Sequence, residues 1–205
     1  ERSVALSPRN AQAVALEGFL LAAENRIPAA IEAFSQAIAI DGALGNAWLG
    51  RGLCRIRRGH AEEGLRDLEV AAAMEPNRAL FRSYLGKGFS NAGDIRHATN
   101  ELAQPIRLDA NDPTAWLYAA LLNQQRNQIN EAVRDLEKSQ ALTENRRIYR
   151  STLLVDQDKA VRGANLANIY LDVGLVDVST REAVRAVSAD YASYSAHLFL
   201  ANSYD

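Results

Sequence analysis

The sequence predicts an all-helical fold assembled from a helical hairpin repeated every 34 residues, and three observations lead there. Trp48 and Trp116 stand 68 residues apart, which is two periods. With repeats started at residues 11, 45, 79 and 113, position 8 holds Gly18, Gly52, Gly86 and Ala120, and position 20 holds Ala30, Gly64, Ala98 and Ala132. Position 24 holds Phe34, Leu68, Leu102 and Leu136, and position 27 holds Ala37, Ala71, Pro105 and Ser139. Two helices cross closely only where a small residue on each removes bulk at the contact, and a large apolar neighbour then fills the adjoining space.

The elements follow in order. Residues 1–10 read as the end of a preceding second helix, with Val4 and Leu6 on its buried face and Pro8 at position 32. Residues 11–146 hold four consecutive repeats, 11–44, 45–78, 79–112 and 113–146. Glu75-Pro76-Asn77 and Asn111-Asp112-Pro113-Thr114 fall where one repeat hands over to the next. Proline cannot continue a helix but suits its first turn, so Asp112 is expected as an N-cap with Pro113 after it. Gly59 and Gly93 occupy position 15, a turn where positive φ is expected. Pro105 lies inside the expected second helix of the third repeat, which it should kink or shorten at a cost of up to ~3 kcal/mol. Trp116 is expected to be buried between helices.

Residues 147–159 (RIYRSTLLVDQDK) break the period and read as an insertion, with Asp156 expected to cap an elongated helix behind it. A fifth, degenerate repeat covers 160–193, with Leu166, Ala167, Tyr170, Gly174, Ala183 and Ala186 in register. Residues 194–205 begin a sixth, where Leu200, Ala201 and Tyr204 repeat the first-helix pattern. Neither end reads as a polar capping helix. The expectation is therefore a segment of a longer protein, or ends that self-associate.

The pattern resembles the tetratricopeptide repeat family, with a large residue at position 4, small ones at 8 and 20 and a bulky one at 24. The second repeat matches most clearly, through Trp48, Gly52, Gly59, Gly64, Leu68, Ala71 and Pro76. The resemblance implies a right-handed superhelical solenoid of antiparallel helix hairpins.

Composition narrows the function. The 205 residues are 48% hydrophobic and 23% charged with a formal net charge of -2. No stretch reaches the ~18 uninterrupted apolar residues of a membrane helix. Arg55-Ile56-Arg57-Arg58 and Arg146-Arg147 are short and offset by nearby acids, so neither a nucleic-acid partner nor RNA-binding helical repeats are expected. Cys54 stands alone as a small hydrophobe. His60, His97 and His197 are too dispersed to build a metal site or a triad. Gly86-Lys87-Gly88 lacks the rest of a phosphate-binding loop. Asp67-Glu69 and Glu131-Asp135 read as exposed helix faces. No catalytic constellation, cofactor or metal is expected, and the chain is expected not to be an enzyme.

In the family, positions 2, 5, 9, 12 and 13 of each first helix line a concave groove. The resemblance implies that Gln12, Ala15, Phe19, Ala22 and Ala23 face it from the first repeat, and Asn46, Leu49, Leu53, Ile56 and Arg57 from the second. Leu80, Ser83, Lys87, Ser90 and Asn91 follow from the third, then Thr114, Leu117, Leu121, Gln124 and Gln125 from the fourth. Exposed Phe19, Leu49, Leu53, Ile56, Leu117 and Leu121 would make a surface for a protein or peptide partner, the alternative being that several of these leucines pack against neighbouring repeats in a tightly wound superhelix. Amides at Asn91, Gln124 and Gln125 would hydrogen-bond its backbone. Ala15 and Phe19 replace the Lys/Asn clamp by which chaperone-binding relatives hold a C-terminal carboxylate, so acidic chaperone tails are not expected.

From the fourth repeat onward the segments NDPTAWLYAALLNQQRN, ENRRIYRSTLLVDQD and YSAHLFLANSYD, with SYLGKGF before them, look like the repeat region of large bacterial envelope proteins. In those relatives the array precedes an outer-membrane barrel-like part. That resemblance implies a periplasmic or outer-membrane-associated scaffold, with a cytoplasmic location as the alternative. The alternative function is a substrate-docking or regulatory arm of an enzyme whose catalytic domain lies outside this segment.

Overall fold

A computed structural model describes residues 10–143 and 152–204, with backbone alone for 152–155. Residues 1–9 and 144–151, and with them the expected preceding helix and the start of the insertion, lie outside the described residues. Eleven helices are present among those described, and no strand. They are α1 (Ala11–Ala23), α2 (Ile27–Ile40), α3 (Gly45–Arg57), α4 (Ala61–Met74), α5 (Ala79–Asn91) and α6 (Ile95–Leu108). There follow α7 (Pro113–Gln125), α8 (Ile129–Thr143), α9 (Thr152–Asp172), α10 (Val176–Ala189) and α11 (Tyr194–Asn202). The chain forms two compact units, Glu1–Gln104 and Pro105–Asp205.

In the first unit α1 pairs with α2 and α3 with α4. The small residues do what close crossing demands. A Cβ on Gly52 would stand 2.8 Å from the Gly64 carbonyl oxygen, and one on Gly64 would stand 2.6 Å from that of Gly52, so α3 and α4 touch backbone to backbone. A Cβ on Gly86 would meet Leu102 at 2.6 Å, which joins α5 to α6. Phe34, Leu68 and Leu102 beside these contacts are all buried. One core gathers Val14, Ile27, Ala30, Phe34 and Ala47, and a second gathers Leu49, Leu68, Ala71, Phe81 and Leu85.

In the second unit α7 pairs with α8 and α9 with α10, while α11 packs on both α9 and α10. Ala120, Ala132 and Leu136 are fully buried with Leu166 and Ile169. Helix α9 is long, 21 residues, and is already under way at Thr152. Asp156 is therefore inside it, and the expected cap at that residue is corrected. Pro105 does not shorten α6, which reaches 14 residues, as many as α2 and α4. Proline lacks an amide hydrogen and forfeits only one bond, and its buried ring still packs while its carbonyl accepts from the Asp109 amide at 2.8 Å.

Each hairpin turns in the same way. Gly59 and Gly93 adopt φ of 89° and 79° as expected, but Asn25 (61°) and Asn127 (58°) do the same work. At every such turn the next amide reaches back five residues, as from Arg26 to the Leu21 carbonyl and from His60 to that of Arg55. This double-bonded helix ending satisfies carbonyls that would otherwise be left open. Asp112 caps α7 as expected, accepting from the Thr114 amide at 2.9 Å.

The loops between hairpins are held by a device absent from the expectations. Position 4 of the following helix donates to the carbonyl six residues earlier. Trp48 Nε1 donates to Gly42 at 2.9 Å, Trp116 Nε1 to Ala110 at 2.9 Å, and Arg82 Nε to Pro76 at 3.1 Å. His197 Nε2 lies 3.0 Å from the Tyr191 carbonyl, and since a carbonyl only accepts, the proton sits on Nε2. Trp116 is half-buried rather than enclosed, because its indole N–H must reach this loop. Trp116→Phe keeps most of the apolar contact but loses the bond, and should cost about 1 kcal/mol in urea denaturation. An unchanged midpoint would show that the bond contributes nothing.

Candidate functional site

The polar residues first divide into those that join helices and those that do not. Asp67 on α4 is buried and receives three hydrogen bonds from α3: Arg51 Nε and Nη2 at 2.9 Å each, and Arg55 Nη1 at 2.8 Å. Arg51 also stacks over Trp48, 4.7 Å from the ring centroid. Glu101 on α6 accepts from Arg82 Nη1 of α5 at 2.8 Å. In the second unit buried Asp135 accepts from Asn123 Nδ2 at 2.9 Å, and buried Glu182 accepts from Gln140 Nε2 at 2.7 Å. Burial pushes the Asp135 carboxyl up, against the opposing pull of Arg134 and Asn123.

The expectation that Asp67 and Asp135 lie on exposed faces is thus overturned. All four acids hold position 23 of their repeats, so the period itself carried the signal: Asp67, Glu101, Asp135 and Glu182 are in one register. An acid on the second helix at that position meets a donor from a neighbouring helix.

The residues expected to face a partner separate in the same light. Leu49 and Leu117 are buried, which corrects their expected exposure. Leu49 packs with Leu68, Phe81 and Leu85, and Leu117 with Leu166 and Ile169, so position 5 seals one hairpin against the next. Leu53 and Ile56 are half-buried against the second core, and Leu121 is half-buried in the second unit. Gln124 Nε2 donates to Asp172 at 2.7 Å and is already engaged, while Gln125 is exposed. Arg57 and Asn91 are exposed and Lys87 is half-buried.

Four expected residues meet around one open cavity in the first unit. It encloses about 340 Å³ and is lined by Gln12, Ala15, Leu16, Phe19, Leu44 and Asn46. Helices α1 and α3 pack together and form its two sides. The Phe19 ring stands edge-on to core residue Phe34, with centroids 4.9 Å apart and planes at 75°, which fixes its orientation. Leu16 is 57% exposed, an apolar wall presented to solvent. Leu16 and Leu44 were missed by the register. The signal was the composition of α1 (AQAVALEGFLLAA), which is apolar around almost its whole circumference. An apolar recess flanked by two amides suits an apolar side chain on an extended backbone.

A larger cavity of about 420 Å³ in the second unit is lined by Glu137, Gln140, Lys159, Glu182 and Arg185 over a floor of Gly163 and alanines. Its polar groups are engaged with protein: Glu182 also accepts from Arg185 Nη1 at 3.2 Å, and Glu137 from the Tyr170 hydroxyl at 2.9 Å. Burial and that bond push the Tyr170 hydroxyl up to about 12. Among the described residues no group of three or more His, Cys, Asp or Glu could hold a metal ion, and no helix is long and apolar enough to cross a membrane.

No protein-family model and no curated protein matches the sequence. Solved structures do. TTC0263, a thermophilic tetratricopeptide-repeat protein of Thermus thermophilus, aligns over 95% of this chain and 98% of its own at a TM-score of 0.81 and 16% identity. The chain has the tetratricopeptide-repeat fold. YrrB, a protein of this repeat type with an unusual peptide-binding site, aligns over 96% of this chain and 95% of its own, at a TM-score of 0.56 and 15% identity. The Cut9–Hcn1 hetero-tetramer of the APC/C aligns over 98% of this chain at a TM-score of 0.65 and 15% identity. This tetratricopeptide-repeat chain spans 44% of the length of that match.

Proposed function

We propose that this array is a non-catalytic interaction scaffold that binds an extended segment of a partner protein along the first helices of its hairpins. The observation that carries the reading is the open apolar recess around Phe19, flanked by the amides of Gln12 and Asn46. A buried cluster needs no such opening, whereas a peptide ligand needs an apolar anchor and backbone partners. The peptide-binding site of YrrB and the assembly containing Cut9 and Hcn1 give precedent within the fold. The working parts of the scaffold are the four repeats 11–44, 45–78, 79–112 and 113–146, with the degenerate one at 160–193. The similarity of the later segments to envelope proteins supports a bacterial envelope setting, with the array as one part of a larger protein.

The test is capture. The immobilised chain should retain one or a few proteins from an envelope extract, and Phe19→Glu should lose them. Phe19 is 37% exposed, so a carboxylate there reaches solvent without entering the core. Equal capture by both forms would remove the recess from the function, and retention only from a cytosolic extract would remove the envelope setting.

A further inference from the structure

The fifth repeat departs from the others at position 4, and the larger cavity of the second unit lies there. Position 4 holds Val14, Trp48, Arg82, Trp116 and His197 in the other repeats and Gly163 in the fifth. Gly163 lines the cavity of about 420 Å³ together with Ala141 of α8 and Ala186 and Ala189 of α10. The chain has no room to fill the space from this point. A Cβ on Gly163 would stand 3.0 Å from the Ala186 Cβ and 3.5 Å from Glu182 Oε1. Small residues bring α9 onto α10 here, and the space beside them stays open.

The second repeat shows what the same register holds when it is filled. Trp48 stands at position 4, and the Arg51 guanidinium lies 4.7 Å from its ring centroid. Arg51 in turn donates to Asp67 at position 23, from Nε and Nη2 at 2.9 Å each. Its Nη1 donates to Ser35 Oγ, at position 25 of the preceding repeat, at 3.4 Å. In the fifth repeat Glu182 takes the place of Asp67 and Glu137 that of Ser35, and both line the cavity. Positions 4 and 7 are Gly163 and Leu166, so neither the ring nor the arginine is built in.

The rim selects among ligands. Glu137 and Glu182 stand with Lys159 and Arg185, so the lining carries no net charge to attract an ion. Buried Glu182 already accepts from Gln140 and Arg185. Glu137 is exposed and accepts the Tyr170 hydroxyl on Oε1, which leaves Oε2 as an open acceptor among the described residues. A flat, neutral, apolar body with a single donor suits a small apolar floor, a balanced rim and one open carboxylate oxygen. Indole is such a group, and cations at the rim favour its face as Arg51 favours that of Trp48.

We propose that this cavity is a second docking site, taking a tryptophan side chain of a partner polypeptide, with the indole against Gly163 and the alanines and its N–H donated to Glu137. The site goes beyond the Phe19 recess. It belongs to the other unit and to other helices, and it stands or falls separately.

The experiment titrates N-acetyltryptophanamide, which carries the side chain without terminal charges, into the whole chain and follows backbone amide shifts. Saturable shifts should centre on Ala141, Gly163 and Ala186, and N-acetylleucinamide should give none there. Ala141→Phe and Ala189→Phe place a ring at the opening from two different helices, and each should weaken binding by about tenfold. Ala141 is exposed, so its variant should melt like the wild type. Glu137→Met should weaken the indole probe by about tenfold and leave its N-methylindole analogue unchanged, the signature of a direct bond. Phe19→Glu should change nothing.

No saturable shift at these residues with about 10 mM probe would overturn the site, as would shifts confined to the Phe19 recess. Equal binding of the leucine probe would overturn the aromatic ring, and equal loss of both indole probes in Glu137→Met would overturn the hydrogen bond. Tighter binding of free tryptophan than of the capped probe would overturn a polypeptide as its source.

Discussion

Phe34→Ala should destabilise the first unit by about 3–5 kcal/mol, the range for deleting a fully buried aromatic ring. Phe34 has no exposed surface, and its ring fills the space over two glycines from different helices. A Cβ on Gly18 of α1 would stand 2.8 Å from the ring, and one on Gly50 of α3 would overlap it. The ring is thus the filler between hairpins as well as within one, and backbones that already rest on glycine cannot move in to close the void. The same change removes the surface against which Phe19 stands, so stability and partner capture should fall together. Amide hydrogen exchange across α1 and α2 is the direct measurement, because repeat arrays open in parts. A loss below about 1 kcal/mol would mean that the hairpins repack, against the close approach described.

Asp67→Ala should cost about 3 kcal/mol, at the lower end of the range for breaking a buried ion pair. The reason is what it leaves behind: two guanidinium groups facing a small apolar residue. The lower end applies because the side chains of Arg51 and Arg55 are 13% and 25% exposed and recover some hydration. The triple change Asp67→Leu, Arg51→Met, Arg55→Met should restore most of the loss, since it removes the charges instead of stranding them. Denaturation midpoints at low and high salt check the assignment, because a pair this buried is weakly screened. If Asp67→Ala melts like the wild type, the network is ornamental to stability.

What could be read from the sequence was whatever repeats with identical chemistry. Glycine or alanine at positions 8 and 20 has one role in every copy, and Phe34, Leu68, Leu102 and Leu136 have one role beside them. Features served by interchangeable chemistries escaped. Asparagine turns the chain at Asn25 and Asn127 where glycine does so elsewhere, because both tolerate positive φ. Tryptophan, arginine and histidine all donate to the same loop carbonyl, although no residue scale would group them. Asp67 and Asp135, both at position 23, were missed through reading each alone as an exposed helix charge.

The site was harder still. Whether a leucine at a first-helix position faces solvent depends on how closely the next hairpin sits, which a single repeat does not encode. Leu49 and Leu117 illustrate this, for both are sealed by side chains more than 15 residues further along the chain. The full length of the helix around Pro105 escaped for a related reason, since whether a proline ends a helix depends on whether its ring finds packing.

The bond from position 4 to the loop behind it also fixes where one repeat ends as a heritable or engineered module. Among the described residues the inter-hairpin loops at Gly42, Pro76 and Ala110 are tied by the helix that follows them, and so belong mechanically to the later hairpin. A duplication or deletion that cuts ahead of the loop transfers hairpin and tether together. A cut just after the loop leaves a carbonyl without its donor on one side and an indole or guanidinium without its acceptor on the other. The exchangeable cassette is therefore displaced a few residues towards the N-terminus from the helical hairpin that the eye picks out.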